Sequence, residues 1–332
     1  MKSLIKMLVE STGPSGYESQ VRDVIRAEIE PYADEVNIDA LGNLIATKGE
    51  PSKDGKKILL AAHMDEIGII ATHVDENGFV RFTTIGGVNP RTCVGGRVRF
   101  LNGTLGVIGH EYIKDRNMLP AIEQMFIDVG AKSRASCPVK VADTAAFERP
   151  YLDLGDRLVS KAMDDRIGAA VLIETLRQLG KSPHQVFYVF SVQEEVGLRG
   201  ATTAAYGIDP DIGIALDVTL SGDTPKSIKM EVGLGKGPAI KVRDSGMFSD
   251  PQVVDWMVKT AEQNKLPYQL EVLEGGTTDA RAIQLSRAGV PSGCISIPCR
   301  YVHAPSEMVD INDVQNAVKL LLGLLSRPVQ MG

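Results

Sequence analysis

Long apolar runs are missing from this chain. No stretch approaches the roughly 20 apolar residues that a membrane-crossing helix needs, so the membrane is excluded as a partner. Basic clusters are missing too. Lys and Arg total 36 against 42 Asp and Glu, a net charge of −6. A mildly acidic chain of this kind argues against nucleic acid as the main partner. Cysteine is scarce: the four, at 93, 137, 294 and 299, show no Cys-x-x-Cys spacing. They read as reduced, mostly buried thiols rather than a disulfide framework. The first ten residues, MKSLIKMLVE, lack the apolar core of a signal peptide. No tandem repeat or low-complexity linker interrupts the sequence. What is present is ample: 332 residues, 43% of them hydrophobic, enough for a substantial core and about two domains. The expectation is a globular, cytoplasmic protein.

The rhythm of the chain divides it. Ser15 and Glu18 form a capping-box pattern ahead of a helix whose inner face carries Val21, Val24, Ile25 and Ile29 and which ends near Pro31. Two strands follow at 36–39 and 43–47, then an apolar strand into His63. From about Ile67 to Leu158 short alternating segments predominate, at 67–74, 79–84, 97–101 and 105–108. Asp75-Glu-Asn-Gly78 and Asn102-Gly103 separate them as turns. After Asp164 helices and strands alternate again to the end. Alternation of that kind predicts an α/β fold with a mainly parallel central sheet flanked by helices. The middle segment reads as an insertion. The expected division is a discontinuous domain over 1–66 and 160–332, with a small β-rich domain at 67–159.

Chemistry concentrates in five segments that each carry a residue fit for a divalent metal: His63-Met-Asp65, Asp164-Asp165-Arg166, Glu194-Glu195, Asp217 and His303. Three follow directly on apolar runs, Ile58–Ala62, Val186–Val192 and Ile212–Leu216, and His303 follows a fourth, Ser292–Ile297, after a short loop. In open α/β sheets ligands bind beyond the carboxyl ends of strands. Each segment also has a plain structural reading. His63 can be a core histidine satisfied by Asp65, or a ligand whose tautomer Asp65 fixes. Asp164 and Asp165 can cap a helix, or Asp164 can bridge two cations with its two oxygens. Of Glu194 and Glu195, one can ligate while the other serves as general base, or both can sit in a solvated loop. Asp217 is a ligand or a cap. Adjacent glutamates do not suit a glycosidase, whose two carboxyls flank a sugar roughly 5–9.5 Å apart. Gathered at strand ends of one fold, the set points to two zinc-like or cobalt-like ions.

The longer motifs carry a resemblance. Thr12-Gly-Pro-Ser-Gly-Tyr-Glu18, Ala62-His-Met-Asp-Glu-Ile-Gly68, Ile85-Gly-Gly-Val88, Ser160-Lys-Ala-Met-Asp-Asp-Arg166, Phe190-Ser-Val-Gln-Glu-Glu-Val-Gly-Leu-Arg-Gly200, Gly275-Gly-Thr-Thr-Asp279 and Ile297-Pro-Cys-Arg-Tyr-Val-His-Ala-Pro-Ser-Glu307 resemble those of the M42 metallopeptidases. These are cytosolic aminopeptidases that form tetrahedral particles. The resemblance runs nearly end to end and is loosest over Glu111–Pro120. It implies that Asp164 bridges two metals, that His63 and Asp217 complete one site, and that Glu195 and His303 complete the other. Glu194 would be the general base and Asp65 would orient His63. It further implies zinc or cobalt as cofactors, short peptides as substrate, and a PDZ-like insertion that assembles dimers into a homo-oligomeric dodecamer. Two alternatives stay open: a related dinuclear metal amidase or deacylase, and a non-catalytic scaffold. Arg243 and Asp244 are candidates for lining a substrate pocket, and Gly275-Gly-Thr-Thr278 either offers backbone donors to substrate or is a turn before a helix.

Overall fold

The continuous apolar run at Lys57–His63 becomes the middle of a large sheet because both of its faces are covered. Ile58, Leu60 and Ala62 enter one core while Leu59 and Ala61 enter another, as the alternation of a strand requires. The computed structural model describes residues 1–115 and 117–331. Arg116, within the expected insertion and its loosely matching segment, and Gly332, at the end of the expected discontinuous domain, lie outside the described residues.

Lys57–His63 runs parallel to Gln185–Ser191 on one side and Ile212–Leu220 on the other, and Ile212–Leu220 is parallel to Ser292–Arg300. These four strands are the parallel centre. The margins differ from the sequence expectation of a mainly parallel sheet. Glu35–Ile38 and Leu44–Lys48 pair antiparallel and attach to Gln185–Ser191, and on the far side Glu307–Asp310, Arg157–Ser160 and Leu152–Leu154 follow in antiparallel order. Ala239–Arg243 and Gln269–Val272 branch from Ser292–Arg300. Short connections join only the antiparallel pairs that are consecutive in the chain, such as Glu35–Ile38 with Leu44–Lys48 and Leu152–Leu154 with Arg157–Ser160, whereas each parallel pair needs a crossover.

One sheet face packs on helices Lys2–Glu10, Ser19–Ile29, Met163–Gln178, Pro251–Gln263 and Ile311–Leu325. Arg199–Ile208 and Asp279–Gln284 cover part of the other through Ala201, Ala204, Ala205 and Ile283. No helix among the described residues is long and apolar enough to cross a membrane.

The β-rich insertion closes into a six-stranded antiparallel barrel, in the order Gly68–Val74, Val80–Ile85, Met125–Asp128, Leu105–His110, Arg97–Phe100, Thr144–Phe147. Closure leaves no free sheet edge. Ile69, Val80, Phe82, Val98, Phe100 and Ile127 fill its own core, separate from those of the large sheet. Both expected turns are present: Asp75 Oδ1 accepts from the Asn77 and Phe79 amides, and Asn102 Oδ1 from that of Thr104. The segments Leu152–Leu154 and Arg157–Ser160, read from sequence as insertion, pair into the large sheet instead.

The capping-box reading of Ser15 and Glu18 is corrected. The helix starts at Ser19 with no side-chain cap. Ser15 donates instead to Asp65 Oδ2 at 2.6 Å, and Glu18 Oε1 accepts from the amides of Gly16 (2.7 Å) and Gln193 (3.2 Å). A long-range carboxylate outcompetes the local cap.

Arg166 ties this N-terminal segment down. Its side chain is fully buried and donates to the carbonyls of Met64 (2.6 Å), Leu8 (2.7 Å) and Ser11 (3.0 Å). Glu66, itself bonded to Lys161 at 2.7 Å, lies 3.5 Å away. Removing one member of such a network strands the others without water. Arg166→Ala should therefore cost about 3–5 kcal/mol, read as a lower denaturation midpoint. A loss below about 1 kcal/mol would mean that the carbonyls find other donors.

Candidate metal centre

His63 is the last residue of its strand, and its parallel partner in register is Ser191. That places His63 beside the start of the loop carrying Glu194 and Glu195. Asp217 lies inside the neighbouring strand Ile212–Leu220 rather than at its end. Asp164 stands in the first turn of Met163–Gln178. His303 sits in the loop after Ser292–Arg300, its backbone in the left-handed region at φ 61°.

All five meet. His63, Asp164 and Asp217 offer ligand atoms within 4.8 Å of one another, and so do Asp164, Glu195 and His303. Asp164 is common to both groups: its Oδ1 lies 2.9 Å from His63 Nε2 and its Oδ2 3.3 Å from His303 Nε2. Glu195 Oε2 is 3.2 Å from His303 Nε2, and Asp217 Oδ1 is 4.0 Å from His63 Nε2.

The tautomers follow from the remaining ring nitrogens. His63 Nδ1 is 3.0 Å from the Asp65 carbonyl oxygen, and His303 Nδ1 is 3.1 Å from that of Gly87. A carbonyl only accepts, so both Nδ1 atoms donate and both Nε2 lone pairs point into the cluster in the neutral rings. Asp65 thus orients His63 chiefly with its backbone oxygen; its carboxylate is 3.5 Å from the ring. That carboxylate is spent elsewhere, accepting from the amides of Glu194 (3.0 Å) and Glu195 (3.2 Å) as well as from Ser15. Asp165 follows the capping reading: Oδ1 accepts from the Gly168 amide at 3.0 Å.

The donor set fits divalent cations. Two imidazole nitrogens and three carboxylates converge, one carboxylate facing both ways. Burial, reinforced by neighbouring carboxylates, holds the Glu194 and Asp217 carboxyls well above their usual range. Asp164 is held low despite its burial, because the His303 and His63 rings, in their protonated forms, donate Nε2–H to it. A cluster this acidic and this buried is costly without cations to offset it.

A cavity of about 580 Å³ opens over the cluster, lined by Asp164, Glu194, Glu195, Asp217, Lys241 and His303, and also by Leu198, Leu220, Leu273 and Arg281. Gly275–Thr278 line it too, and Thr278 caps the helix Asp279–Gln284, as the reading of a turn before a helix requires. Arg243 and Asp244 are not in the wall. Arg243 lies over the Phe248 ring at 5.4 Å, and the buried Asp244 accepts from the amides of Gly246 and Met247. Lys241, overlooked in the sequence, is the lysine at the cavity, buried and paired with Glu271.

Glu307 is another support the residue pattern alone left unassigned. It accepts from the amides of Asp164 (3.0 Å) and His303 (2.8 Å), fixing a member of each group. An acid four residues beyond His303 is its only local signal in the sequence. The other histidines stand apart: His184, for one, bridges the Lys56 amide and the Arg327 carbonyl.

Residues 42–320 match the model of the family described as M42 glutamyl aminopeptidase. The chain is 37% identical over 338 residues to the lysyl aminopeptidase of Pyrococcus furiosus, covering 97% of this chain and 96% of that protein. Its structure matches the aminopeptidase APDkam598 from the archaeon Desulfurococcus kamchatkensis with a TM-score of 0.93 at 42% identity, covering 98% and 94% of the two chains. It also matches the Pyrococcus horikoshii TET1 peptidase, which can assemble into a tetrahedron or a large octahedral shell, with a TM-score of 0.87 at 32% identity over 98% of each chain.

Proposed function

This chain belongs to the M42 family and is an aminopeptidase, and from that premise we propose that it removes N-terminal residues from short peptides at a carboxylate-bridged pair of divalent cations. The observation that carries the reading is Asp164, with one oxygen toward each histidine. His63 and Asp217 would hold one cation with it, and Glu195 and His303 the other. Imidazole and carboxylate donors suit zinc or cobalt. When bound, such a pair supplies charge that polarises a carbonyl and acidifies water.

The side chains do the rest. Glu194 lines the cavity but belongs to neither ligand group, which leaves its carboxylate free to take a proton from water and return it to the leaving amine. Asp65 fixes the Glu194 amide and so the position of that base. The acidic wall would receive a protonated α-amino group, favouring free N-termini. The ligand set is complete, which weighs against a non-catalytic scaffold.

The division into a discontinuous catalytic domain and an inserted oligomerisation domain is part of the same reading. Separate cores support it, and the strand pairing favours a boundary after Phe147 rather than at 159. The barrel, which we liken to a PDZ module, would carry contacts between copies in a dodecamer assembled from dimers; the assembling TET1 relative supports this. A cytoplasmic setting is supported by four free thiols.

Metal removal tests the core of the proposal. Chelation should abolish release from free-amine aminoacyl anilides, and zinc or cobalt should restore it, with two ions per chain by elemental analysis. Undiminished turnover after exhaustive chelation would overturn it. Cleavage of N-acetylated but not free-amine peptides would move the enzyme to the amidase class.

A further inference from the structure

The two halves of the centre are built differently. His63, Asp164 and Asp217 all come from the large-sheet domain and are buried. The His303 half is more open, with 34% of the His303 side chain exposed, and it borrows a group from the insertion. Gly86 and Gly87 directly follow the barrel strand Val80–Ile85. They lie against the ligands themselves. A Cβ on Gly87 would sit 2.5 Å from His303 Nδ1 and 2.8 Å from its Cε1, and one on Gly86 would sit 3.0 Å from Glu195 Oε2.

Gly87 is not in the left-handed region, unlike Gly86 at φ 74°. A side chain at Gly87 thus meets no left-handed backbone strain, and its cost is the collision with the ring. The ring has little room to retreat. The His303 amide is held by Glu307 at 2.8 Å, and its main chain is already in a conformation that residues other than glycine rarely adopt. It can only rotate, which breaks the Nδ1–H bond to the Gly87 carbonyl and turns Nε2 away from Asp164 and Glu195.

Resting on the two-cation reading above, we infer that Gly87 is a positioning residue for the second cation: its carbonyl fixes the His303 tautomer, and its missing side chain makes room for the ring. The inserted barrel is therefore a structural part of one half of the centre, not only an appendage for assembly.

The test is a double-mutant cycle with Gly87→Ala, His303→Ala and the pair, each as the full chain. Ions per chain are counted by elemental analysis after dialysis, the affinity of the weaker site is titrated with zinc, and thermal midpoints are recorded. Wild type should hold two ions. Gly87→Ala should bind the second about 10–100-fold more weakly, the usual cost of losing a group that orients a ligand, and retain about one. In the His303→Ala background the same change should alter neither ion count nor midpoint, because the ring it strikes is gone. Gly87→Ala with two ions at wild-type affinity would overturn the inference. So would an equal fall of the thermal midpoint, or failure to fold, in both backgrounds, which would mark Gly87 as merely structural. A wild type holding fewer than two ions would instead bring down the two-cation reading.

Discussion

Glu194→Gln is expected to lower kcat by about 10²–10⁴-fold or more, the range for loss of a general base, while both cations stay bound. Glutamine keeps the shape of the side chain and its place over the cavity but cannot take a proton at neutral pH. The choice of Glu194 over its neighbour rests on geometry: Glu195 Oε2 lies 3.2 Å from His303 Nε2 and belongs to a ligand group, whereas Glu194 belongs to neither. The matching change at Glu195 should lower ion content as well as turnover. Steady-state rates on aminoacyl anilides together with elemental analysis separate the two. Near-normal turnover by Glu194→Gln would sink the base assignment.

Asp164→Ala should act on both cations at once. Each oxygen faces a different histidine, at 2.9 Å and 3.3 Å, so removing one side chain opens both groups. The loss of affinity should exceed the roughly 10–100-fold that follows loss of a mere supporting partner, and turnover should vanish with it. His303→Ala, by contrast, should spare the ion held by His63 and Asp217. An Asp164→Ala protein that keeps two ions per chain under the same dialysis would refute the bridge.

Four of the five clustered residues were legible because each stands close to an apolar run; Asp164, in the first turn of a helix, does not. Strands buried on both faces read as near-continuous hydrophobic stretches, so the parallel centre and the side chains beside it could be found together. The alternation of helices and strands after Asp164 was equally plain. What could not be read were partnerships across the chain. Ser15 and Glu18 fit a local cap, yet Ser15 answers to Asp65, 50 residues away. Lys241 looks like an ordinary charge until Glu271 is found beside it. The barrel strands Met125–Asp128 and Thr144–Phe147 are too short to show a period. Gly87 and His303 are separated by 216 positions, and no local pattern links a glycine to an imidazole at that distance.

The strand Lys57–His63 lies between two strands that the chain supplies only after residue 184. It has a bearing on how the protein comes into being. During synthesis that apolar segment emerges early and must wait, unpaired, for well over a hundred residues before its neighbours exist. Meanwhile the barrel can close on itself from nearby antiparallel partners as it leaves the ribosome. Parallel sheets whose strands are distant in sequence form slowly and expose sticky surface while they do. The barrel should thus mature first and the catalytic sheet last. A nascent chain halted before Ser292–Arg300 would carry a finished insertion on an unfinished enzyme.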